Sequence, residues 1–247
     1  MDLNLEGRAA IVCGGSAGIG LGVAEALSTE GANVVLFARS PEPLRKEAER
    51  LGGIAVPGDV TSAEDVERLV QVAVDAHGGI DILVNNSGGP PRTAAVGLSA
   101  EQVDAAVQLL LVSVVRLTGL CLPYLERSEA GRIVNITSST VKEPTDNLAL
   151  SNAVRPGVIG WAKSLSRELG PQGITVNSIA PGRIDTDRIL ELYPDGPSEA
   201  DLEAIPLRRL GTPREIGDVV AFLCSHRAAY VTGTVVAVDG GLVRGLL

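Results

Sequence analysis

The chain has 247 residues, 45% of them hydrophobic and 21% charged, which is the composition of a globular chain with enough length to bury a full core. Its formal net charge is −9, its pI about 4.8 and its aromatic content only 2%. Those values argue against nucleic acid, which needs clustered lysine and arginine or a base-stacking platform, and leave small solutes or protein partners.

Cys13, Cys121 and Cys224 are an odd number, widely spaced and without metal-ligand spacing. They read as reduced thiols of a cytoplasmic protein, with no metal site. The N-terminus, MDLNLEGRAAIVCGG, lacks the basic and apolar regions of a signal peptide. The most apolar run, VQLLLVSVVRLTGLCLPYL, is interrupted by Arg116 and reads as a buried or interface helix rather than a membrane span.

In chain order the first β-type run is AAIVCGG, followed by the helix-spaced GIGLGVAEALSTEG. At their junction, CGGSAGIG carries Gly14, Gly18 and Gly20, which let the backbone turn sharply and approach a pyrophosphate at a helix N-terminus. Ser16 and Ile19 share this expected cradle. The second run, NVVLFAR, ends on Ala38, Arg39 and Ser40, where an NAD-preferring fold usually places an acid. No carboxylate there would repel a 2′-phosphate, and Arg39 can pair with one, so NADP(H) is favoured over NAD(H). Ala17 tempers this, since users of NADP often carry a second basic residue in that loop, and Arg39 also reads as a solvated helix-entry charge.

Five further runs follow: IAVPGDV, DILVNNSG, RIVNITSS, ITVNSIAPG and TVVAVDGG. They are continuously apolar rather than alternating, as strands covered on both faces are, and helix-length segments such as SAEDVERLVQVAVDAHG separate them. The alternation predicts a single α/β domain over residues 1–247, a Rossmann-like, doubly wound parallel sheet of about seven strands. Residues 183–212 break the rhythm with Pro194, Pro197, Pro206 and mixed charge, and read as a substrate lid or a plain surface excursion.

GGSAGIG, GDV at 58–60, NNSG at 85–88, Ser138 after the fifth strand, APGRIDTD at 180–187 and YVTGTVVAVDGG at 230–241 together resemble the short-chain dehydrogenase/reductase family. The layout is similar to its 3-oxoacyl-acyl-carrier-protein reductase type over nearly the whole length. The resemblance implies that Asp59 and Val60 meet the adenine, and that Asn86 and Gly88 pass the adenosine ribose. It places Ile184 and Thr186, after Pro181 and Gly182, at the nicotinamide carboxamide. Asp239, Gly240 and Gly241 resemble a C-terminal strand tied to subunit packing. Assembly as a homotetramer or homodimer through helices near 109–125 and 149–169 is likewise implied.

The family's catalytic pattern, a serine followed by Tyr-x-x-x-Lys, departs here. Ser138 fits, but counting thirteen residues on gives Ser151 and then Arg155, and the family's relay asparagine falls on Leu110. Tyrosine titrates near 10 and can be tuned lower, whereas a serine hydroxyl is far less acidic and reaches less far. Arg155 stays charged and can bond the nicotinamide ribose, but relays no proton readily. Proton handling is impaired and dinucleotide holding is kept.

The proton donor is then Ser138, Lys142 or water. Lys142 is an acid if buried beside Arg155, or else a solvent-facing loop lysine. Tyr193 is a weaker candidate from the lid, His77 reads as a helix C-terminal residue, and His226 as surface. Pro156 predicts either a late helix start or a kink, each moving Ser151. The leading reading is an oxidoreductase passing hydride between NADP(H) and a small carbonyl or alcohol substrate. The alternative is a catalytically silent NADP(H)-binding oligomer, a sensor or scaffold; non-redox chemistry in the same pocket ranks third.

Overall fold

A computed structural model of the chain describes residues 2–193 and 195–246. Its centre is a seven-stranded sheet of β1 (Ala9–Cys13), β2 (Asn33–Ala38), β3 (Ile54–Pro57), β4 (Ile82–Asn85), β5 (Arg132–Ile136), β6 (Thr175–Pro181) and β7 (Val235–Val238). The strand order is β3-β2-β1-β4-β5-β6-β7, with every neighbouring pair parallel. All seven strands lie within the apolar runs. β1, β5 and β6 are buried at every position, which is why their sequences do not alternate.

One face of the sheet is covered by α1 (Gly18–Thr29), α2 (Pro41–Leu51) and α9 (Pro213–Cys224), packed through Val23, Leu27, Leu44, Ile216 and Val220. The other carries α3 (Ala63–His77), α5 (Ser113–Leu125) and α6 (Ala149–Leu169), packed through Leu69, Leu117, Cys121, Ala162 and Leu169. Local chemistry sets the helix ends. Ser62 caps α3 by accepting from the Asp65 N–H, and Gly78 ends it in the left-handed region at φ 76°. Thr212 and Glu215 form a reciprocal capping box on α9, and the Arg209 guanidinium, with the Thr212 N–H, holds the Glu215 carboxyl down near 2.

The apolar run forms one rod from Ala100 to Leu125, long and apolar enough by length and composition alone to cross a membrane. It comprises α4 (Ala100–Val107), a π turn (Gln108–Val112) and α5. Within the fold its inner face is buried at Ala106, Leu110, Leu117, Cys121 and Leu125, while Val103 and Val115 are exposed.

Two sequence expectations change in detail. The α6 helix does not start late at Pro156: it begins at Ala149 and runs through the proline. Pro156 has no N–H to offer Asn152, but it lies on the exposed face, where water can satisfy that carbonyl. The Asn152 side chain also ties α6 to the preceding loop, donating to the Thr145 carbonyl at 2.9 Å. Pro194 lies outside the described residues; the other residues of 183–212 form more regular structure than the prolines suggest. They carry α7 (Asp187–Leu192) and α8 (Glu199–Glu203), and an Ile184–Gly211 bridge closes their ends. Tyr193 lies between the Arg183 and Arg92 guanidiniums, 5.5 and 6.0 Å from its ring centre, and Arg183 also pairs with Asp201.

Candidate active site

After β1 the chain turns toward the β2–β3 edge of the sheet and after β4 toward the β5–β7 edge, which opens a crevice beyond the C-terminal ends of these parallel strands. A cleft of about 540 Å3 occupies that place. Its first half is lined by Gly14, Ser16, Gly18 and Ile19 from the β1–α1 loop and by Arg39 after β2. Asp59 and Val60 after β3, and Asn86 and Gly88 after β4, complete that half. The second half holds Ser138, Ser151 and Arg155, with Pro181, Gly182, Ile184 and Thr186 from the end of β6.

The first half is shaped by missing side chains. Gly14 has φ +69°, and a Cβ there would lie 2.4 Å from the Asn86 amide nitrogen, which donates to the Cys13 carbonyl at 3.1 Å. Gly20 does not line the cleft. It sits inside α1, where a Cβ would meet the Gly14 carbonyl oxygen at 2.2 Å, so its role is to let the helix approach the loop. The α1 N-terminus has Ala17 as its cap residue, no capping side chain and no acid in the first turn. Its free N–H groups and positive dipole end therefore suit a phosphate diester.

Asp59 is fixed rather than free to rotate. Its Oδ1 accepts from the Thr61 backbone N–H at 2.8 Å and hydroxyl at 2.7 Å, and its own N–H donates to Asp65. The Thr61 bonds, then the Arg39 charge, hold its carboxyl below the usual range. The loop, the uncapped helix end and Arg39 thus fit a dinucleotide bearing an extra phosphate.

The second half is more deeply buried. Ser138 caps a 3-10 turn, its Oγ accepting from the Thr140 N–H at 3.2 Å, and no described bond uses its hydroxyl proton. Ser151 is buried in the first turn of α6, its Oγ 3.1 Å from the Thr140 hydroxyl. Arg155, one turn on, is 8% exposed and donates from Nη1 to the Ile136 carbonyl at 3.3 Å. Burial, then the charge of Arg188, lowers its pKa to about 10. Leu110 packs with Ala106, Leu150 and Val154 into an apolar wall beside these groups, and Leu109, not Leu110, lines the cleft.

Lys142 ends the 3-10 turn and is not a lining residue, so it does not meet the condition of burial beside Arg155. Tyr193 is held between its two arginines and does not line the cleft either. His77 ends α3, and His226 is exposed with Nδ1 3.3 Å from the Leu3 carbonyl. The sequence reading missed Arg188, which lies two residues past Thr186 on α7 and lines the cleft. The only signal available for it was its place in the first turn of a helix opening beside the expected carboxamide site. Thr140, which ties the serines together, carried no motif at all.

The chain matches the family described as enoyl-(acyl carrier protein) reductase over residues 14–243. It belongs to the short-chain dehydrogenase/reductase family. Among that family's curated members, a 3-oxoacyl-[acyl-carrier-protein] reductase of Vibrio cholerae is 38% identical over 97% of this chain and 99% of its own. The dehydrogenase/reductase SDR family member 4 of Sus scrofa is 36% identical over 98% of this chain and 89% of its own. Among solved structures, L-sorbose reductase of Gluconobacter frateurii, complexed with NADPH and L-sorbose, superposes with a TM-score of 0.93 at 31% identity, covering the whole of both chains.

Proposed function

We propose that the chain is an NADP(H)-dependent oxidoreductase of carbonyl or alcohol substrates with an altered proton-handling site. One observation carries the reading: the uncapped, acid-free end of α1 opens onto the same cleft as Ser138 and Arg155. The coenzyme supplies or accepts the hydride. Support comes from the reductases among its relatives and from NADPH in the neighbouring L-sorbose reductase structure.

Arg39 would pair with the 2′-phosphate, Asp59 and Val60 would flank the adenine, and Asn86 with Gly88 the adenosine ribose. Arg155 would bond the nicotinamide ribose, and Ile184 and Thr186 the carboxamide. Ser138 has a free hydroxyl proton to donate to the substrate oxygen. Ser151 is committed to Thr140 and Lys142 is off the cleft, which leaves water to replenish the proton. Residues 183–212 act as the lid. The same reading assigns assembly as a homodimer or homotetramer through α5 and α6.

Calorimetry with NADPH and NADH, followed by turnover of ketones, oxoacyl thioesters, quinones and imines at high protein concentration, tests it. The expected result is tighter binding of NADPH and slow reduction of at least one carbonyl class. Retention of neither nucleotide at millimolar levels overturns the reading. NADPH bound with no turnover on any class replaces it with a silent coenzyme-binding protein.

A further inference from the structure

The second half of the cleft holds a buried cation that neither a described carboxylate nor the neutral hydroxyls of a coenzyme ribose would neutralise. Arg155 is a buried cation whose described bond is one long contact to a carbonyl. Among the described residues no carboxylate pairs with it, although buried guanidiniums are normally paired. The apolar wall of Leu110, Leu150 and Val154 lowers the local dielectric and strengthens whatever charge interaction it makes.

Arg188 presents a second guanidinium to the same cleft. It donates from Nη2 to the Pro90 carbonyl and from Nη1 to Glu191, each at 2.6 Å. Its head fills the space a side chain on Gly89 would take: a Cβ there would lie 2.9 Å from Nη2 and 3.1 Å from Cζ. Its charge also contributes to the lowered pKa of Arg155, so the two cations interact.

The carboxylates of the cleft do not neutralise Arg155. Asp59 lies in the other half and is bonded to Thr61, Glu191 is taken by Arg188, and Asp187 is exposed. A nicotinamide ribose offers Arg155 only neutral hydroxyls, and an oxidised ring adds a further positive charge. The missing partner is therefore an anion that arrives with the substrate.

We propose that the substrate is a carbonyl compound carrying a carboxylate, and that Arg155 and Arg188 grip that carboxylate between them. The inference rests on the coenzyme reading above. Arg155 can bind a carboxylate in the bidentate manner, Arg188 can add a bond from the N–H groups it does not spend on Pro90 and Glu191, and the apolar wall excludes competing water from the Arg155 side. A neutral ketone or ester would leave the Arg155 charge uncompensated, so the arrangement selects against it as well as for the acid.

The test is calorimetry on the full chain loaded with NADP+, in which a ketone binds but cannot be reduced. The probes are 2-oxo-, 3-oxo- and 4-oxopentanoate and their methyl esters. At least one acid should bind about tenfold or more tightly than its ester, with the preference shrinking as salt rises. Arg188→Gln should cut the preference several-fold, since Arg155 alone remains, and Arg188→Lys should cut it less, with nucleotide binding read in parallel to show that each variant is folded. Equal binding of acids and esters overturns the proposal while the coenzyme reading stands. So does the absence of acid binding at tens of millimolar, or a preference untouched by Arg188→Gln. A parent protein that holds no nucleotide overturns the coenzyme reading first, and this one with it.

Discussion

The two ends of the cleft are made of different material. At the β1–α1 end the recognising groups are backbone N–H donors and the bare positions of glycines, with Arg39 as the added charge. At the β5–α6 end they are side chains: Ser138, Ser151, Thr140 and Arg155. A backbone-built end survives as long as the fold does. A side-chain end can be rewritten one residue at a time, so a chain could keep its backbone-built end while the groups at positions 151 and 155 change.

The largest effect should follow from attacking the backbone end. Gly20→Val would drive its side chain into the Gly14 carbonyl and should abolish nucleotide binding while costing about 3 kcal/mol of stability from overpacking. Calorimetry together with thermal unfolding checks both. Undiminished binding would break the contrast, because the cradle would then tolerate a bulky neighbour.

Next in size is Ser138→Ala. Loss of the Ser138 hydroxyl, whose proton no described bond uses, should lower kcat about 100-fold and leave NADPH affinity unchanged. Steady-state kinetics beside a binding isotherm separates the two ends. Arg39→Met should weaken NADPH about tenfold, the loss of a charge-assisted bond, and leave NADH as it was. Paired titrations read the difference.

The smallest effect sharpens the contrast through pH. The folded state holds the Arg155 proton less tightly than an unfolded chain does, since burial lowers its pKa to about 10. The unfolded state therefore binds more protons from that pH up to its own titration, and the penalty of the buried charge is present below pH 10 and relieved above it. Arg155→Met should accordingly stabilise the protein by about 1 kcal/mol at neutral pH. Arg39→Met, at an exposed site, should not. Denaturant midpoints at pH 7 and above pH 10 check the sign.

The strands were legible because burial on both faces leaves apolar-rich runs that do not alternate, clearest in AAIVC and NVVLFA. Much of the cleft's first half was legible for a related reason: Gly14, Asp59 and Asn86 line it from fixed places at strand ends. Side-chain direction was not. The π turn at Gln108–Val112 alters the helical period, so the position counted as facing the site, Leu110, packs into the wall while Leu109 faces the cleft. Lys142 could be placed by counting but not aimed, since that depended on how a 3-10 turn of three residues left Ser138. Arg188 depended on a short helix that a proline-rich stretch did not announce. Pro156 argued for a helix boundary, yet the buried face of α6 outweighed one missing backbone bond.

The position of β1 in the sheet also dictates when the molecule matures as it is made. β1 pairs on one side with β2, but on the other with β4, Ala10 lying opposite Ile82. The strand that ends in the glycine loop therefore waits, half-paired, until more than seventy further residues have left the ribosome, and such long-range pairing is slow. Until then the nascent chain exposes one of its most apolar edges, so synthesis through α3 is the interval in which a chaperone would matter most.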